Sequence, residues 1–252
     1  MKLSGNIRSF KADLHVHTVL SPCGDLEMSP VNIVERAREQ GLDMIGIADH
    51  NSGLQCRVVH QVGLDYGLAV LCGMEVNTRE EVHCLAFFPS FDALDAFGQL
   101  IYERLADFPN QPEKFGYQPV VDRQEQILDQ PGKLLISAVD MSIEETERRV
   151  HEMGGLFIPA HIDRMRNGII AQLGFIPPGL NCDALEISPH TSREEILRQQ
   201  PQLKDYPLIQ SSDAHYIEDI GAAYTFFELE KPDLEDVGLA LKGQDGRKIV
   251  SP

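Results

Sequence analysis

Short apolar runs alternate with helical patterns along most of the 252-residue chain. Ala12 to His17 has the composition of a strand. Ser29 and Pro30 then cap a helix carried by Val31, Ile33, Val34 and Ala37, with Gly41 as its stop. Asp43 to Ala48 and Leu68 to Val76 are continuous enough to be buried strands, and Glu81 to Phe88 follows closely enough to pair with the second of them. Leu134 to Val139, Leu156 to Pro159, Ala184 to Ile187, Leu208 to Ser211 and Tyr224 to Leu229 complete the predicted strands. Amphipathic stretches such as Ser142 to Glu152 and Ser192 to Gln200 lie between them. Strands separated by helices of about 10–15 residues predict βαβ units and a parallel sheet, either open or closed as a barrel.

The stretch from Asp107 to Gly132 breaks this rhythm. It contains Pro109, Pro112, Pro119 and Pro131, yet keeps Phe108, Phe115, Tyr117, Val120 and Val121, so it reads as an insertion or cap and not as a linker. No internal repeat is visible, and residues 1–252 are expected to form one domain. No apolar run approaches the roughly 20 residues that cross a bilayer, and the N-terminal segment lacks the apolar core of a secretory signal. The expected location is the cytoplasm. Five scattered cysteines without a CxxC pair speak against a disulfide framework or a zinc knuckle. Cys56, Cys72, Cys84 and Cys182 are expected as small buried hydrophobes.

Charge narrows the picture further. Lys and Arg number 22 against 39 Asp and Glu, a net charge of −17 that repels nucleic-acid backbones and anionic membranes. Neither is an expected partner. A phosphorylated substrate then needs something within the site to reverse the local sign, and bound metal ions do this.

The nine histidines say where such ions would sit. His15 and His17 are two apart on a predicted strand and share a face. His50 follows the strand Asp43 to Ala48, Glu75 ends the next one, and His83 begins its neighbour. His161 follows Leu156 to Pro159, while Asp213 and His215, again two apart, follow Leu208 to Ser211. In a parallel α/β fold the strand ends gather at one rim, where active sites lie. A single strand-end histidine is usually a hydrogen-bonded packing residue. This many N and O donors at separate strand ends instead suits two or three Zn, Mn or Fe ions. His60 and His151 lie in helical patterns and are expected in solvent; His190 follows a strand and is a candidate substrate contact.

The motifs DLHVHT at 13–18, ADHN at 48–51, GMEV at 73–76, VHCLAFF at 82–88, PAHIDR at 159–164 and SSDAH at 211–215 form an ordered set. That set resembles the PHP (polymerase and histidinol phosphatase) superfamily. The resemblance implies a distorted (β/α)7 TIM-like barrel with a metal cluster at its C-terminal rim. By motif, the implied ligands are His15, His17, His50, Glu75, His83, His161, Asp213 and His215, with Glu75 bridging two ions and Glu75, Asp213 and His215 serving catalysis. One departure stands out. The family places a further Asp or His shortly after the HxH pair, where this chain reads Ser21-Pro22-Cys23-Gly24-Asp25. Cys23 stands at the ungapped position, and Asp25 is the chemically conventional replacement and the expected ligand. A thiolate would favour Zn, whereas a carboxylate tolerates Mn, Fe or Mg.

The expected activity is that of a phosphoesterase. A metal-activated hydroxide would attack a small phosphorylated metabolite such as a nucleotide, a sugar phosphate or a histidinol-phosphate-like ester. Arg164, three residues past His161, is a candidate clamp for phosphate oxygens, with a surface ion pair as its bland reading. Two other readings compete: an amidohydrolase-type hydrolase of C–N or C–O bonds, and a non-catalytic, metal-binding regulatory protein. No GxSxG, P-loop or GxGxxG in a suitable context points to serine hydrolysis or nucleotide-driven work.

Overall fold

The computed structural model describes residues 6–251. Strand β1 (Arg8–Val16) leads to helix α1 (Pro30–Glu39), strand β2 (Met44–Ile47), helix α2 (Cys56–Tyr66) and strand β3 (Ala69–Asn77). The start of α1 falls where the sequence places it. Ser29 is extended at the N-cap, Pro30 opens the first turn, and Gly41, at φ +67°, follows the end. A left-handed φ suits a residue with no Cβ. β1, β2 and β3 pair in parallel, as βαβ units require.

Strand β4 (His83–Phe87) then runs antiparallel to β3, with His83 opposite Asn77. The connection 78–82 is far shorter than the dozen or so residues that a parallel crossover needs, so the sheet is mixed and not wholly parallel. Helices α3 (Phe91–Arg104) and α4 (Pro112–Phe115), the short strands β5 (Val120–Val121) and β6 (Ile127–Asp129), helix α5 (Ile143–Glu152) and strand β7 (Leu156–Pro159) follow. Ser142 caps α5 through its hydroxyl, which accepts from the Glu145 N–H. The last third comprises α6 (Ile169–Leu173), β8 (Leu185–Ile187), α7 (Arg193–Gln199), β9 (Leu208–Gln210), β10 (Thr225–Leu229), α8 (Leu234–Leu241) and β11 (Lys248–Ser251).

The main sheet has the order β11-β10-β1-β2-β3-β4-β7. The parallel pair β8-β9 closes it into a distorted barrel. On one side the Asp183 N–H donates to the Phe157 carbonyl and the Ile162 N–H to the Glu186 carbonyl; on the other, Val16 bridges to Ala214. β10 and β11 extend the sheet from the N-terminal half of β1. An inner apolar cluster contains Phe10, Leu14, Met44, Phe87, Ile158 and Phe227, with Val237, Ala240 and Leu241 of α8 packed into it. A second cluster joins Ile45, Ile47 and Val76 to the helices outside.

Two predicted features differ. Leu134 to Val139 is not a strand. Its backbone is held by side chains: Asn51 Nδ2 donates to the Leu135 and Ser137 carbonyls, Asn77 Nδ2 donates to the Ile136 carbonyl, and the Leu135 N–H donates to Gln118 Oε1. β11 was not expected, because its four residues carry no distinctive alternation. The insertion lies over the barrel rim. Gln55 exchanges two hydrogen bonds with Val121 at 2.8 and 2.9 Å, and Gly116, at φ +96°, abuts Pro22.

Candidate metal centre

Six strands deliver their chemistry to one rim. The parallel strands β1, β2, β3 and β9 place His15 and His17, His50, Glu75, and then Asp213 and His215 at or past their C-termini. β4 runs the other way, so its first residue, His83, reaches the same rim, and β7 brings His161 there at its far end. His161 (φ +30°), Asp213 (φ +53°) and Asn51 (φ +51°) all adopt left-handed backbone conformations. Such strain in non-glycine residues concentrates at functional sites, where neighbouring structure enforces it. It turns the chain sharply at the strand ends.

Glu75 is the hub. Its Oε1 lies 2.8 Å from His83 Nδ1, 3.1 Å from His161 Nε2 and 3.4 Å from His15 Nε2. Its Oε2 lies 2.9 Å from His50 Nδ1 and 3.6 Å from His17 Nε2. Burial pushes the Glu75 carboxyl up, but His83, His15 and His50 outweigh this and hold it well below the usual carboxylate range. Asp213 Oδ1 lies 3.3 Å from His15 Nε2 and 3.2 Å from His17 Nε2. Burial pushes the Asp213 carboxyl up as well, but the His15 and His17 rings beside it outweigh this and hold it below the usual carboxylate range.

Outer hydrogen bonds fix the rings. His15 Nδ1 sits 2.9 Å from Glu186 Oε2, a pure acceptor when ionised, so the proton is on Nδ1 and the Nε2 lone pair faces the cluster. His215 Nδ1 donates to the Asp213 carbonyl at 2.9 Å, which frees its Nε2 in the same way. His17 Nδ1 meets Ser21 Oγ at 2.9 Å, and that hydroxyl donates to Asp49 Oδ1 at 2.7 Å. The hydroxyl proton is therefore committed, and His17 Nδ1 is the donor. Burial, followed by the neighbouring His215, keeps the His17 ring below its ordinary pKa, in the neutral form that metals bind. Asp13 is buried and accepts from the Ser212 N–H, the Ser212 hydroxyl and the Gly221 N–H, tying β1 to the loop that carries Asp213.

These tautomers leave a conflict that only a cation or a proton resolves. The Nε2 lone pairs of His15 and His17 face each other at 3.1 Å, with Asp213 Oδ1 beside both. Asp213 Oδ1, His161 Nδ1 and His50 Nδ1 are buried without an aligned hydrogen bond, the last despite its closeness to Glu75. Buried lone pairs without partners are costly. Three groups of donors each fit within 4.8 Å: His15, His17 and Asp213; His50, Glu75 and His83; and His17, His50 and His215. The donor set fits divalent metal ions.

The sequence matches the PHP domain family over residues 13–164, and a PHP-associated segment over 202–244. The chain belongs to the PHP family. The uncharacterized protein YqxK of Bacillus subtilis (strain 168) is 24% identical over 97% of this chain and 65% of its own length. In fold, the chain is similar to the lesion-specific endonuclease PfuEndoQ of Pyrococcus furiosus, with a TM-score of 0.76 at 19% identity over 96% of this chain and 58% of that one. Endonuclease Q complexed with a 27-mer duplex bearing an abasic lesion at the active site gives a TM-score of 0.70 at 19% identity, over the same shares of the two chains. A two-domain protein from Bacteroides vulgatus ATCC 8482, containing a predicted PHP-like metal-dependent phosphoesterase, gives 0.56 at 18% identity over 95% of this chain and 64% of that one. The chain thus spans less than two thirds of each of these relatives.

Within this PHP barrel the expected site residues fall into two sets. His15, His17, His50, Glu75, His83, His161, Asp213 and His215 come together. Asp25 does not join them: its Oδ1 accepts from the Glu27 N–H at 2.8 Å in a local turn. Cys23, two residues earlier, puts Sγ 3.2 Å from His50 Nε2. Arg164 forms neither a remote surface pair nor an unengaged clamp; its Nη1 bonds Asp213 Oδ2. His190 is exposed, and its backbone N–H is bonded to Ser188 Oγ. His151 was expected in solvent but is bound by Glu147 and Asp183, and His60 stacks edge-on against Phe91. Sequence reading missed the outer residues Glu186, Asp49, Asp13 and Ser21. Glu186 had a legible signal, a lone charge inside the apolar run Ala184 to Ile187. No described helix is long and apolar enough to cross a membrane.

Proposed function

We propose that this rim is the active site of a metal-dependent phosphoesterase acting on a small phosphate ester. The enzymatic class, hydrolysis of phosphoric esters, is that of the PHP family. The observation that carries the reading is the set of Nε2 lone pairs fixed from behind by Glu186, Ser21 and the Asp213 carbonyl, those of His15 and His17 lying beside Glu75 and Asp213 and that of His215 beside His17 and His50. His15, His17 and Asp213, and Glu75 with His83 and His161, are the proposed holders of two divalent ions. Such ions supply charge neutralisation for phosphate and a lowered pKa for water. Glu75 divides its two oxygens between histidine groups, Oε1 facing His83 and His161 and Oε2 facing His50. Arg164 steadies Asp213 and offers its remaining N–H groups to phosphate oxygens at the half-open mouth. His215 is aimed into the cluster beside Asp213. His190 is the outermost proposed contact.

Exposed apolar side chains stand close in sequence to these groups: Leu26, Leu54, Met165 and Tyr216 are each within four residues of Cys23, His50, Arg164 or His215. They support a leaving group with an apolar or planar part, as in a nucleotide. The fold shared with Endonuclease Q favours a second reading, in which the ester belongs to damaged DNA. The net charge of −17 favours the small ester.

The test is a panel of phosphomonoesters, phosphodiesters and an abasic duplex, assayed after reconstitution with Mn, Zn or Fe, with Glu75→Gln as the control. Turnover of a small ester, lost by about a thousandfold or more in Glu75→Gln with the fold retained, is the expected result. Wild-type turnover by the variant at full metal occupancy would remove Glu75 from the mechanism. Cleavage of the duplex alone would replace the small ester with the second reading.

A further inference from the structure

We propose that Cys23, and not Asp25, completes a third metal position with His50 and His215, giving a mixed thiolate and imidazole site. The proposal rests on the metal-centre reading above and concerns which side chain of this chain meets the ion.

The argument begins with counting donors. His17 belongs by distance to two of the three donor groups, but one nitrogen can serve only one ion. Its Nδ1 is committed to Ser21 Oγ, and its Nε2 lies against His15 Nε2 and Asp213 Oδ1. His17 is therefore spent, and His50 and His215 are left short of a third protein donor. His215 presents Nε2, because its Nδ1 donates to the Asp213 carbonyl. The buried ring of His50 turns its Nδ1 to Glu75 without an aligned hydrogen bond and points its Nε2 away from Glu75, at Cys23 Sγ 3.2 Å off.

The loop is built to hold the thiol there. The Gly24 N–H donates to the Ser21 carbonyl at 2.8 Å, and the Asp25 N–H donates to the His215 carbonyl at 2.9 Å, so both sides of Cys23 are pinned. A Cβ on Gly24 would fall 2.8 Å from the Thr18 carbonyl oxygen, which leaves room only for glycine in this tight turn. From the insertion, Gly116 comes so close to Pro22 that a Cβ there would overlap the Pro22 carbonyl oxygen. Asp25, by contrast, has its Oδ1 engaged by the Glu27 N–H, and its carboxylate is in none of the donor groups. Among the described residues, the other cysteines lie elsewhere: Cys56 and Cys84 are buried in the core, and Cys72 and Cys182 are packed against it. A thiolate with two imidazoles selects softer ions such as Zn and Co over Mg or Mn. The chain would then hold one position chemically distinct from the carboxylate-rich pair.

Cobalt(II) tests this without any substrate. The apo-protein is titrated with Co(II) and followed by near-ultraviolet absorption and by metal analysis. The wild type should develop a thiolate-to-cobalt charge-transfer band. Cys23→Ser should lose the band and hold its last ion at least about tenfold more weakly, in line with the loss of a ligand or of its immediate support. Asp25→Asn should keep both band and ion. Cys23→Asp should keep the ion and lose the band, which separates loss of the thiolate from loss of the loop. Circular dichroism checks that each variant folds. A fully loaded wild type without the band, or a band that survives in Cys23→Ser, overturns the thiolate ligand while leaving the metal centre intact. No cobalt uptake at all overturns both.

Discussion

At the residue scale, the centre depends as much on what stands behind the ligands as on the ligands. Glu186 is the clearest case. It is buried, its Oε2 receives both His15 Nδ1–H and the His161 backbone N–H, and it touches two rim elements at once. Glu186→Gln keeps the shape but replaces a charged acceptor with a neutral one that can also present donors. Metal affinity is expected to fall about 10- to 100-fold, as is typical when the outer partner of a ligating histidine is changed. Calorimetric titration with Zn or Mn measures this directly. Unchanged affinity would mean that His15 needs no fixed tautomer. The eight converging residues were legible because HxH, DAH and lone strand-end residues are local patterns. The outer shell was not. Glu186, Asp49 and Asp13 act across 25 to nearly 200 positions of chain, through contacts that only the closed barrel creates. Cys23 and Asp25 show the same limit within three residues: which side chain faces the site is decided by the turn at Gly24 and the hydrogen bond to His215, not by chemical convention.

At the scale of elements, the strands with unbroken apolar runs and the helices with plain caps were readable to within a few residues, as for Met44–Ile47, Leu156–Pro159 and Ile143–Glu152. Leu134 to Val139 was misread because an apolar run carries no information about its partner. Its backbone groups are satisfied by Asn51, Asn77 and Gln118 from three other segments. Helix α5 offers a measurable case of coupling between elements. His151 near its end bonds Glu147 Oε1 at 2.6 Å and Asp183 Oδ2 at 2.8 Å, and Asp183 also accepts the Phe157 N–H, so helix, β7 and the approach to β8 meet at one ring. Both ring nitrogens face carboxylates, which requires the protonated ring. The bond to Asp183 outweighs partial burial and raises the His151 pKa above its ordinary value. A group whose pKa rises on folding stabilises the fold fully below its unfolded value and loses that contribution as pH climbs through the folded one. His151→Ala is therefore expected to cost on the order of 1–2 kcal/mol below about pH 6, with the gap from wild type narrowing as pH rises past 7. Denaturant melts at several pH values measure it. A gap that widened with pH would show the ring to be held neutral.

At the scale of the whole molecule, a chain of net charge −17 carries at its rim a cluster of donors that could hold cations, and the proposed substrate is a phosphate ester. The two substrate readings differ most sharply here, because long-range charge acts on a polyanion in proportion to the phosphates it must bring close. A duplex that is held through six to ten phosphates loses about 10³–10⁵ in affinity between 50 and 200 mM salt, as its counterions are released and taken back. A small ester bound at the metals presents one phosphate, in a partly buried site that salt screens poorly. Its KM is therefore expected to change by less than about tenfold over that range, with kcat unchanged. The net negative charge of the chain would moreover make added salt assist the approach of an anion slightly, since screening weakens its repulsion. Steady-state kinetics on the best small ester, run beside binding of an abasic duplex at the same salt concentrations, reads both slopes. A shallow or slightly favourable salt dependence for the ester, with no measurable duplex binding at 150 mM, fits the small-substrate reading. Tight duplex binding with a slope of several phosphates would place a cationic path on a molecule whose net charge argues against one, and would make nucleic acid the substrate.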